Sequence, residues 1–372
     1  MKILILHASA GAGHRRAAEA LEKAFRAEGA EPVVRDILDF TAPLFRKTYA
    51  KGYLDVVRRA PELWGYLYSQ SDKSLRVPWK RTVRTLFNAL NTRDFKTFFR
   101  ECAPDAVVCT HFMPLEILSA RIAKGKTDVP LYCVVTDFGV HGLWVVDHVR
   151  RYYVACPEAE RQLRRRGKEA DRVKLTGIPI DPVFASGDPA PAARRKLGLD
   201  PDLPAVLLLS GGYGVGPAVE MVRAFRGSGL RAQLLVVAGA NEKLREKAEA
   251  EAASAEMPVM VFGFVKNIHE LMDASDLVIT KPGGLTTSEV LAKGRPMLLI
   301  DPIPGQEQRN GEYVLELGAA ARLYEAEDAP AKIRTLLEEA GRLERMARCA
   351  RAAGRPHAAR DIARDVLGEA GR

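Results

Sequence analysis

Long apolar runs are missing from this chain of 372 residues. No stretch approaches the roughly 18–20 apolar residues that a helix needs to span a bilayer, which excludes the class of membrane-spanning proteins. The apolar stretch near the start, Ile3–Leu6, is also too short for a secretory signal peptide. It predicts a first β-strand instead.

Cysteine is scarce: the chain has five and no Cys-x-x-Cys pair. The odd number and the wide spacing favour neither a disulfide framework nor a four-cysteine zinc site. The sequence therefore predicts a reduced, cytosolic protein.

Charge of both signs is present, but Lys and Arg outnumber Asp and Glu by 56 to 47, for a formal net charge of +9. This excess favours an anionic partner without choosing among nucleic acid, nucleotide and lipid. With 47% hydrophobic and 28% charged residues, the composition is that of an ordinary globular protein. The length suits two or three domains.

Apolar, strand-like segments alternate with helical ones in two successive halves of the chain. A stretch rich in Pro, Gly and Ala separates the halves and indicates an interdomain linker. We expect an α/β protein with two Rossmann-like, doubly wound parallel sheets. The predicted divisions are an N-terminal domain at 1–175, a linker at 176–190, a C-terminal domain at 191–352 and a C-terminal helix or tail at 353–372.

Residues 43–100 interrupt this alternation with 13 Lys or Arg against four acids, and with 11 of the 26 aromatic residues. Basic helices with interleaved aromatic side chains suit a membrane interface. Two other interpretations stay open: an amphipathic insertion packed on the sheet, and a surface that stacks single-stranded nucleic acid. Because no RNA-binding motif accompanies the segment, we expect no nucleic-acid partner.

A glycine loop, GAGH, lies between the first predicted strand and the first helix. Gly11 and Gly13 permit close approach of a ligand, and the following helix N-terminus favours an anion. Arg16 stands where a dinucleotide-binding motif needs its third glycine, which disfavours NAD. His14 is either a general base or a structural histidine.

Two glycine-rich turns mark the second half. GGYGVG at 211–216 lacks the ending of an ATP-binding P-loop, but its backbone N–H groups suit a diphosphate. KPGGLTTSE at 281–289 begins a helix with several hydroxyl and N–H groups that an anion could contact. Glu289 in that helix either binds a ribose diol or acts as a capping carboxylate.

Polar residues follow two further strands. Asp137 and His141, in TDFGVHGLW, lie beyond a strand's carboxyl end, where open α/β sheets bind ligands. Gln306, Glu307 and Asn310 stand in a predicted polar loop and suit recognition of sugar hydroxyls. No third ligand accompanies Asp137 and His141 at a convincing spacing, so we expect no metal.

Together these motifs resemble those of a known family. The set comprises GAGH, TDFGVHGLW, YYVA at 152–155, TGIPIDPVF at 176–184, KPGGLTTSE and GQEQRN. It is similar to the inverting GT-B glycosyltransferases that include processive diacylglycerol glucosyltransferases and monogalactosyldiacylglycerol synthases. The peptidoglycan lipid N-acetylglucosaminyltransferase is a more distant relative. The resemblance runs from residue 1 to about 350.

The resemblance implies a GT-B fold, in which two domains face a cleft and the last helices pack back on the N-terminal domain. The C-terminal half would bind a UDP-sugar through its uracil, ribose, diphosphate and hexose. Phe264 and Val265 would lie beside the uracil, and Lys281 or Arg309 could stabilise the leaving diphosphate. The donor-binding residues implied in this way are Gly212, Phe264, Val265, Gly283, Gly284, Leu285, Thr286, Thr287, Glu289, Gln306 and Glu307.

The same resemblance implies a UDP-sugar-dependent hexosyltransferase that acts by a single displacement with inversion. UDP-glucose or UDP-galactose would be the donor, diacylglycerol the acceptor and a β-glycosyl-diacylglycerol the product. Asp137 is the first candidate for the base and His14 the second. The acceptor loops would contain Gly11, Gly13, His141 and Trp144.

No cofactor or metal is expected by this resemblance, and the protein would be peripheral, on the anionic cytoplasmic face of the cell membrane. The identity of the sugar and the choice of base stay open. The alternative function is a UDP-GlcNAc-dependent transferase that acts on a polyprenyl-linked cell-wall precursor.

Overall fold

The computed structural model describes residues 1–9, 11–43, 45–46, 62, 65–66, 70, 93–212, 214 and 216–370. The chain divides into two compact units. The first unit contains Met1–Pro182, Ile303–Arg309 and His357–Arg372, and the second unit contains Val183–Pro302 and Asn310–Pro356. Most of the basic, aromatic segment predicted at 43–100 lies outside the described residues.

Each unit is built on one parallel sheet. The strands are β1 (Lys2–His7), β2 (Glu31–Asp36), β3 (Ala106–Cys109), β4 (Leu131–Val134), β5 (Arg151–Val154), β6 (Val173–Leu175), β7 (Ala205–Leu209), β8 (Gln233–Val237), β9 (Val259–Phe262), β10 (Leu277–Thr280), β11 (Met297–Leu299) and β12 (Ala320–Arg322). The α-helices with described bounds are α1 (Ala12–Ala27), α2 (Arg93–Cys102), α3 (Phe112–Ala123), α4 (Pro157–Arg165), α5 (Ala190–Lys196), α6 (Ala218–Ala224), α7 (Glu242–Ala252), α8 (Ile268–Ala274), α9 (Gly284–Ala292), α10 (Gln306–Glu316), α11 (Ala329–Glu338), α12 (Arg342–Ala353) and α13 (Ala358–Ala370).

The first sheet has the order β2-β1-β3-β4-β5-β6. Its inner strand β1 is apolar from Ile3 to Leu6, because both faces of a parallel sheet are covered by helices. Ile5 pairs with Val34 of β2 on one side and with Val108 of β3 on the other. Ile3 and Ile5 are fully buried.

The C-terminal helix α13 belongs to the first unit and packs against α1. Ile362 and Val366 of α13 share one buried core with Leu21 and Phe25 of α1. These apolar residues recur at the spacing of one helix face, which is why both helices bury a single stripe. The end of the chain thereby supports the helix that begins at the GAGH loop.

The second sheet has the order β12-β11-β10-β7-β8-β9. The strand order reverses between β7 and β10 in this sheet, as it does beside β1 in the first. Ligands of open α/β sheets bind beyond the carboxyl ends of the strands at such a switch point. The glycine turn at 211–216 follows β7, and the KPGG turn follows β10.

The fold class predicted from the sequence is confirmed: the structure is α/β, with two doubly wound parallel sheets. Two details were wrong or missed. Gln306, Glu307 and Asn310 lie on helix α10 rather than in a loop. The helix starts there because the Glu307 side chain accepts a hydrogen bond of 2.9 Å from the N–H of Ile303, which holds the entering turn. Strand β12 was not predicted.

Membrane crossing requires a helix that is both long and apolar. None of the helices in the described part of the chain meets both conditions.

Candidate functional site

His14 occupies the first turn of α1, where the chain leaves β1 and its glycine loop. Its Nδ1 lies 2.8 Å from the carbonyl oxygen of Thr110 and 2.9 Å from Oγ1 of Thr136. A carbonyl oxygen can only accept, so Nδ1 carries the proton and donates it to Thr110. Nε2 therefore keeps the lone pair of the ring. In return, the Thr110 hydroxyl donates to the His14 carbonyl oxygen at 2.9 Å.

Burial lowers the pKa of His14 to about 4, well below the ordinary value of 6.5. The hydrogen bond to Thr110 opposes this shift, and the neighbouring His7 adds to it. Because the unprotonated form predominates at neutral pH, the site holds a neutral imidazole with an available lone pair. Such a group can accept a proton from a hydroxyl.

Two further imidazoles have the opposite tautomer. Nδ1 of His111 accepts from the N–H of Met113 at 3.0 Å, and Nδ1 of His141 accepts from the N–H of Leu143 at 3.1 Å. In their neutral forms both rings carry the proton on Nε2. Burial also keeps the pKa of His111 well below its ordinary value. Among these three rings, His14 is thus an acceptor and the other two are donors.

Aromatic contacts hold these rings together. The rings of His14 and His111 meet edge to face, with centroids 4.7 Å apart, and the buried Trp144 ring lies 6.1 Å from His14. Sequence reasoning missed His111, Thr110 and Thr136. The available signal was their position directly after β3 and close after β4, at the edge that already carried His14 and Asp137.

Asp137 follows Thr136, the residue whose hydroxyl reaches His14, and its side chain is half-buried. Gly11 precedes α1, and Gly13 lies in its first turn. The residues predicted for the first unit therefore collect on loops at one edge of its sheet. Whether Asp137 or His14 is the base stays a prediction at this point.

Asp36 occupies the place of the ribose-binding acid in dinucleotide folds. In this chain its carboxylate forms hydrogen bonds to the backbone of neighbouring loops instead. Its carboxylate accepts from the N–H of Leu38 at 2.9 Å and from the N–H of Ser9 at 3.2 Å. Both bonds brace the loops that follow β1 and β2.

In the second unit, the start of α9 offers peptide N–H groups beyond β10. Gly283 is the N-cap and provides no side chain, so the N–H groups of Gly284, Leu285 and Thr286 have no partner within the helix. The positive end of the helix dipole adds to their attraction for an anion.

Thr287 and Ser288 turn inward in the same helix. The Thr287 N–H donates to the Gly283 carbonyl at 2.9 Å, and its hydroxyl is fully buried with no hydrogen-bond partner in the described structure. The Ser288 hydroxyl donates to the Gly284 carbonyl at 2.9 Å. Glu289 is also buried, with 2% of its surface exposed. The Thr287 and Ser288 hydroxyls are thus turned away from a ligand, whereas the first three N–H groups have no partner within the helix.

The glycine turn after β7 packs tightly against the turn after β8. A Cβ on Gly239 would collide with the carbonyl oxygen of Gly211, and one on Gly214 with that of Ala238. Both glycines also have positive φ angles, +65° and +60°, which side chains disfavour. Gly212 stays exposed on this platform, with its carbonyl accepting from Ala240 at 3.2 Å.

Phe264 and Val265 follow β9 at the same edge of the second sheet. Phe264 is 69% exposed, so its ring is accessible to a ligand. Gln306 and Glu307 lie in the stretch Ile303–Arg309, which clusters with the first unit. Within the second unit, Gly212, Phe264 and the start of α9 all follow the carboxyl ends of strands, at one edge of the sheet.

Metal binding needs several ligating side chains at one point. The described residues contain no group of three or more His, Cys, Asp or Glu that could hold a metal ion.

Two family models match the two halves of the chain separately, and related proteins match nearly the whole chain. Residues 14–180 match the family model of monogalactosyldiacylglycerol synthase, and residues 218–364 match that of the glycosyltransferase family 28 C-terminal domain. A processive diacylglycerol β-glucosyltransferase of Bacillus mycoides is 31% identical over 99% of this chain and 94% of its own length. The corresponding protein of Bacillus subtilis is 31% identical over 93% of this chain and 89% of its own length.

Solved structures share the fold at lower identity. MurG of Acinetobacter baumannii superposes with a TM-score of 0.65 at 16% identity, over 99% of each chain. A UDP-GlcNAc 2-epimerase from Neisseria meningitidis, bound to UDP-GlcNAc, gives 0.60 at 13% identity, over 99% of this chain and all of its own. These likenesses support the GT-B fold predicted from the sequence.

Proposed function

Because the chain belongs to the family of processive diacylglycerol β-glucosyltransferases and monogalactosyldiacylglycerol synthases, we propose that it transfers a hexose from a UDP-sugar to diacylglycerol with inversion, yielding β-glycosyl-diacylglycerol. The observation that carries this proposal is the similarity to the named glucosyltransferases along nearly the whole chain. The same similarity favours glucose over galactose as the hexose.

The acceptor hydroxyl would lose its proton to Nε2 of His14. That atom carries a lone pair because Nδ1 donates to Thr110, and burial keeps the ring neutral. The oxygen of diacylglycerol would form a bond to the anomeric carbon of the α-linked sugar while the bond from that carbon to the UDP oxygen breaks. Approach of the anionic diphosphate would favour the imidazolium that forms. Asp137, in the loop next to Thr136, is the competing base.

The leaving diphosphate would be stabilised by peptide dipoles without a metal. The N–H groups of Gly284, Leu285 and Thr286 support this assignment, since they point away from the helix at its positive end. Lys281 has its methylene chain 3.6 Å from the position of a Cβ on Gly216, so a cation lies beside the glycine turn. Exposed Phe264 would stack on the uracil. Glu289 would bind the ribose diol, as the family motif KPGGLTTSE implies.

Access to diacylglycerol requires contact with a membrane surface. We assign this contact to the basic, aromatic segment at 43–100, whose composition suits an anionic interface. The protein would thus act peripherally on the cytoplasmic face of the membrane.

The test is turnover of the purified protein on vesicles that contain diacylglycerol, with UDP-glucose, UDP-galactose or UDP-GlcNAc supplied separately and with EDTA present. We expect β-glucosyl-diacylglycerol from UDP-glucose, with the β configuration read from the anomeric proton coupling in NMR. A galactosyl product would change only the sugar. Transfer of GlcNAc to a polyprenyl-linked acceptor, with no glycosyl-diacylglycerol from any donor, would replace this function by the alternative one.

A further inference from the structure

A concave pocket opens in the first unit at the amino-terminal edge of its sheet. It encloses about 580 Å³ beside the segments that lead into β3 and β4, with α2 and the end of α3 as walls. His14, Thr110 and Thr136 all follow the carboxyl ends of strands in the same parallel sheet. The pocket therefore lies at the edge opposite the proposed active site.

Positive charge dominates the lining of this pocket. Lys96, Arg100, Arg121 and Lys126 contribute four cations against the two carboxylates of Asp105 and Asp128. Asp105 already accepts a hydrogen bond of 2.6 Å from the N–H of Lys2. Across the described part of the chain, none of the four cations forms an ion pair.

Arg121 is the innermost of these cations. Its guanidinium lies over the Phe99 ring, 5.5 Å from the centroid, and its Nε is buried with no hydrogen-bond partner among the described residues. Burial lowers the pKa of Arg121, which means that the charged form lacks compensation. A buried donor without an acceptor is costly. An anion in the pocket would compensate this charge at the two terminal nitrogens of the guanidinium, since the buried Nε is closed to the pocket.

Helix dipoles explain only part of this cluster. Arg100 and Arg121 lie in the last turns of α2 and α3, where cations complement the negative end of a helix. Lys96 lies earlier in α2, and Lys126 lies beyond the end of α3. Neither these two lysines nor the unpartnered Nε of Arg121 follows from the dipoles.

We propose that this pocket binds a phosphate-bearing anion, at a second ligand site separate from that of the UDP-sugar. Phosphate oxygens match the planar donors of guanidinium groups and the point charge of ammonium groups. The volume admits a glycerol phosphate as well as a bare phosphate. The anion is either a lipid headgroup or a soluble phosphate ester, since both present the same chemistry.

Binding of glycerol 1-phosphate is the direct test, measured by calorimetry on the full chain with UDP present to fill the donor site. We compare three proteins: the wild type, the double variant Arg121→Gln/Lys126→Gln, whose two cations lie outside the segment at 43–100, and the control Lys124→Gln/Arg165→Gln. The control removes the same charge from exposed positions of the first unit that do not line the pocket. Loss of two charge-assisted contacts should weaken binding in the double variant by at least about tenfold. The control should bind like the wild type.

A single variant, Arg121→Gln, tests the buried guanidinium, with circular dichroism to verify that the protein is folded. A second arm measures sedimentation of the same proteins with phosphatidylcholine vesicles, with and without phosphatidylglycerol. A loss confined to glycerol 1-phosphate identifies a soluble ester, and a parallel loss on phosphatidylglycerol vesicles identifies the headgroup. Equal binding by the double variant and its control in both arms overturns the proposal, whatever the transferase assay shows.

Discussion

At the scale of single residues, the proposed chemistry depends on His14. We predict that His14→Ala lowers kcat by at least about 100-fold, the usual contribution of a general base, with little change in the KM for the UDP-sugar. The reason is that His14 belongs to the first unit, whereas the donor groups at the start of α9 belong to the second. Steady-state kinetics on diacylglycerol vesicles measures both parameters.

Two companion variants make this result specific. His148→Asn replaces an exposed histidine whose φ of +59° suits asparagine, so it should retain full activity. Asp137→Asn identifies the competing base: a larger kcat loss there than in His14→Ala would transfer the role of base to Asp137.

The pH dependence of catalysis tests the electrostatics of the same residue. Burial lowers the pKa of His14 to about 4, so the base form is fully present above about pH 5.5 and is lost only as the pH falls toward 4. We expect kcat/KM to show no histidine limb between pH 5.5 and 7.5. NMR titration of the His14 ring gives an independent reading. An inflection near pH 6.5 that disappears in His14→Gln would show that the ring is not desolvated in solution.

At the scale of elements, the start of α9 allows one N–H group to be removed without breaking the helix. Proline is tolerated at the first helical position, and Gly283 has φ −67° and ψ 143°, a conformation that a following proline permits. We predict that Gly284→Pro raises the KM for the UDP-sugar by about tenfold, the cost of one hydrogen bond to a charged group.

Gly284→Ala and Thr287→Val are the matched controls for that experiment. The alanine variant keeps the N–H and should change KM less than the proline variant. Thr287→Val removes only a hydroxyl that is fully buried and unpartnered in the described structure, so KM should stay the same and the Tm should not fall. A KM increase in Thr287→Val would mean that this hydroxyl reaches the donor after all.

The C-terminal helix α13 is attached to the first unit by a charge cluster as well as by its apolar stripe. The Asp365 carboxylate accepts from Arg151 at 2.7 Å, Lys174 at 2.6 Å and the Tyr153 hydroxyl at 2.8 Å. Burial alone would raise the pKa of Asp365, but these donors lower it below its ordinary value. We predict that Asp365→Ala lowers the free energy of unfolding by about 2–4 kcal/mol, because it removes the acceptor of the buried Tyr153 hydroxyl and of the largely buried Arg151 guanidinium.

Asp361→Ala is the control for α13. Asp361 is exposed in the first turn of the same helix, so its loss should cost less than about 1 kcal/mol. Urea denaturation of both variants provides the comparison. Equal losses would assign the effect to the removal of any carboxylate from α13 rather than to the charge cluster.

These elements also show which parts of the structure could be predicted from the sequence and which could not. Continuous apolar runs such as Ile3–Leu6 predicted the buried strands, because parallel strands covered on both faces carry few polar residues. The start of α10 was missed because its first turn is uniformly polar and is set by a side-chain bond from Glu307, not by periodicity. His14 could be identified from the sequence as a candidate base. Its tautomer could not be predicted, because Thr110 and Thr136 come close to it only in the folded sheet.

At the scale of the whole molecule, the net charge of +9 is unevenly distributed along the chain. Residues 43–100 alone hold an excess of nine cations, 13 Lys or Arg against four acids, so the rest of the chain is close to neutral. Attraction to a membrane should therefore depend on this one segment rather than on the protein as a whole.

The predicted family and fold are confirmed. The surface that meets the membrane stays a prediction, because most of this segment lies outside the described residues.

Sedimentation with vesicles tests whether the charges of residues 43–100 attach the protein to a membrane. Each cation near an anionic surface contributes on the order of 1 kcal/mol, and salt shortens the reach of that attraction from about 10 Å at 0.1 M to about 3 Å at 1 M. We expect strong binding to phosphatidylglycerol vesicles in low salt and most of it to be lost in high salt. Lys80→Gln/Arg81→Gln should weaken binding, whereas Lys243→Gln/Lys247→Gln on α7 of the second unit should not. Binding that is equal on neutral vesicles and insensitive to salt would assign the attachment to aromatic burial alone. If both variants weakened binding to the vesicles equally, the attachment would depend on the total charge of the protein rather than on the segment at 43–100.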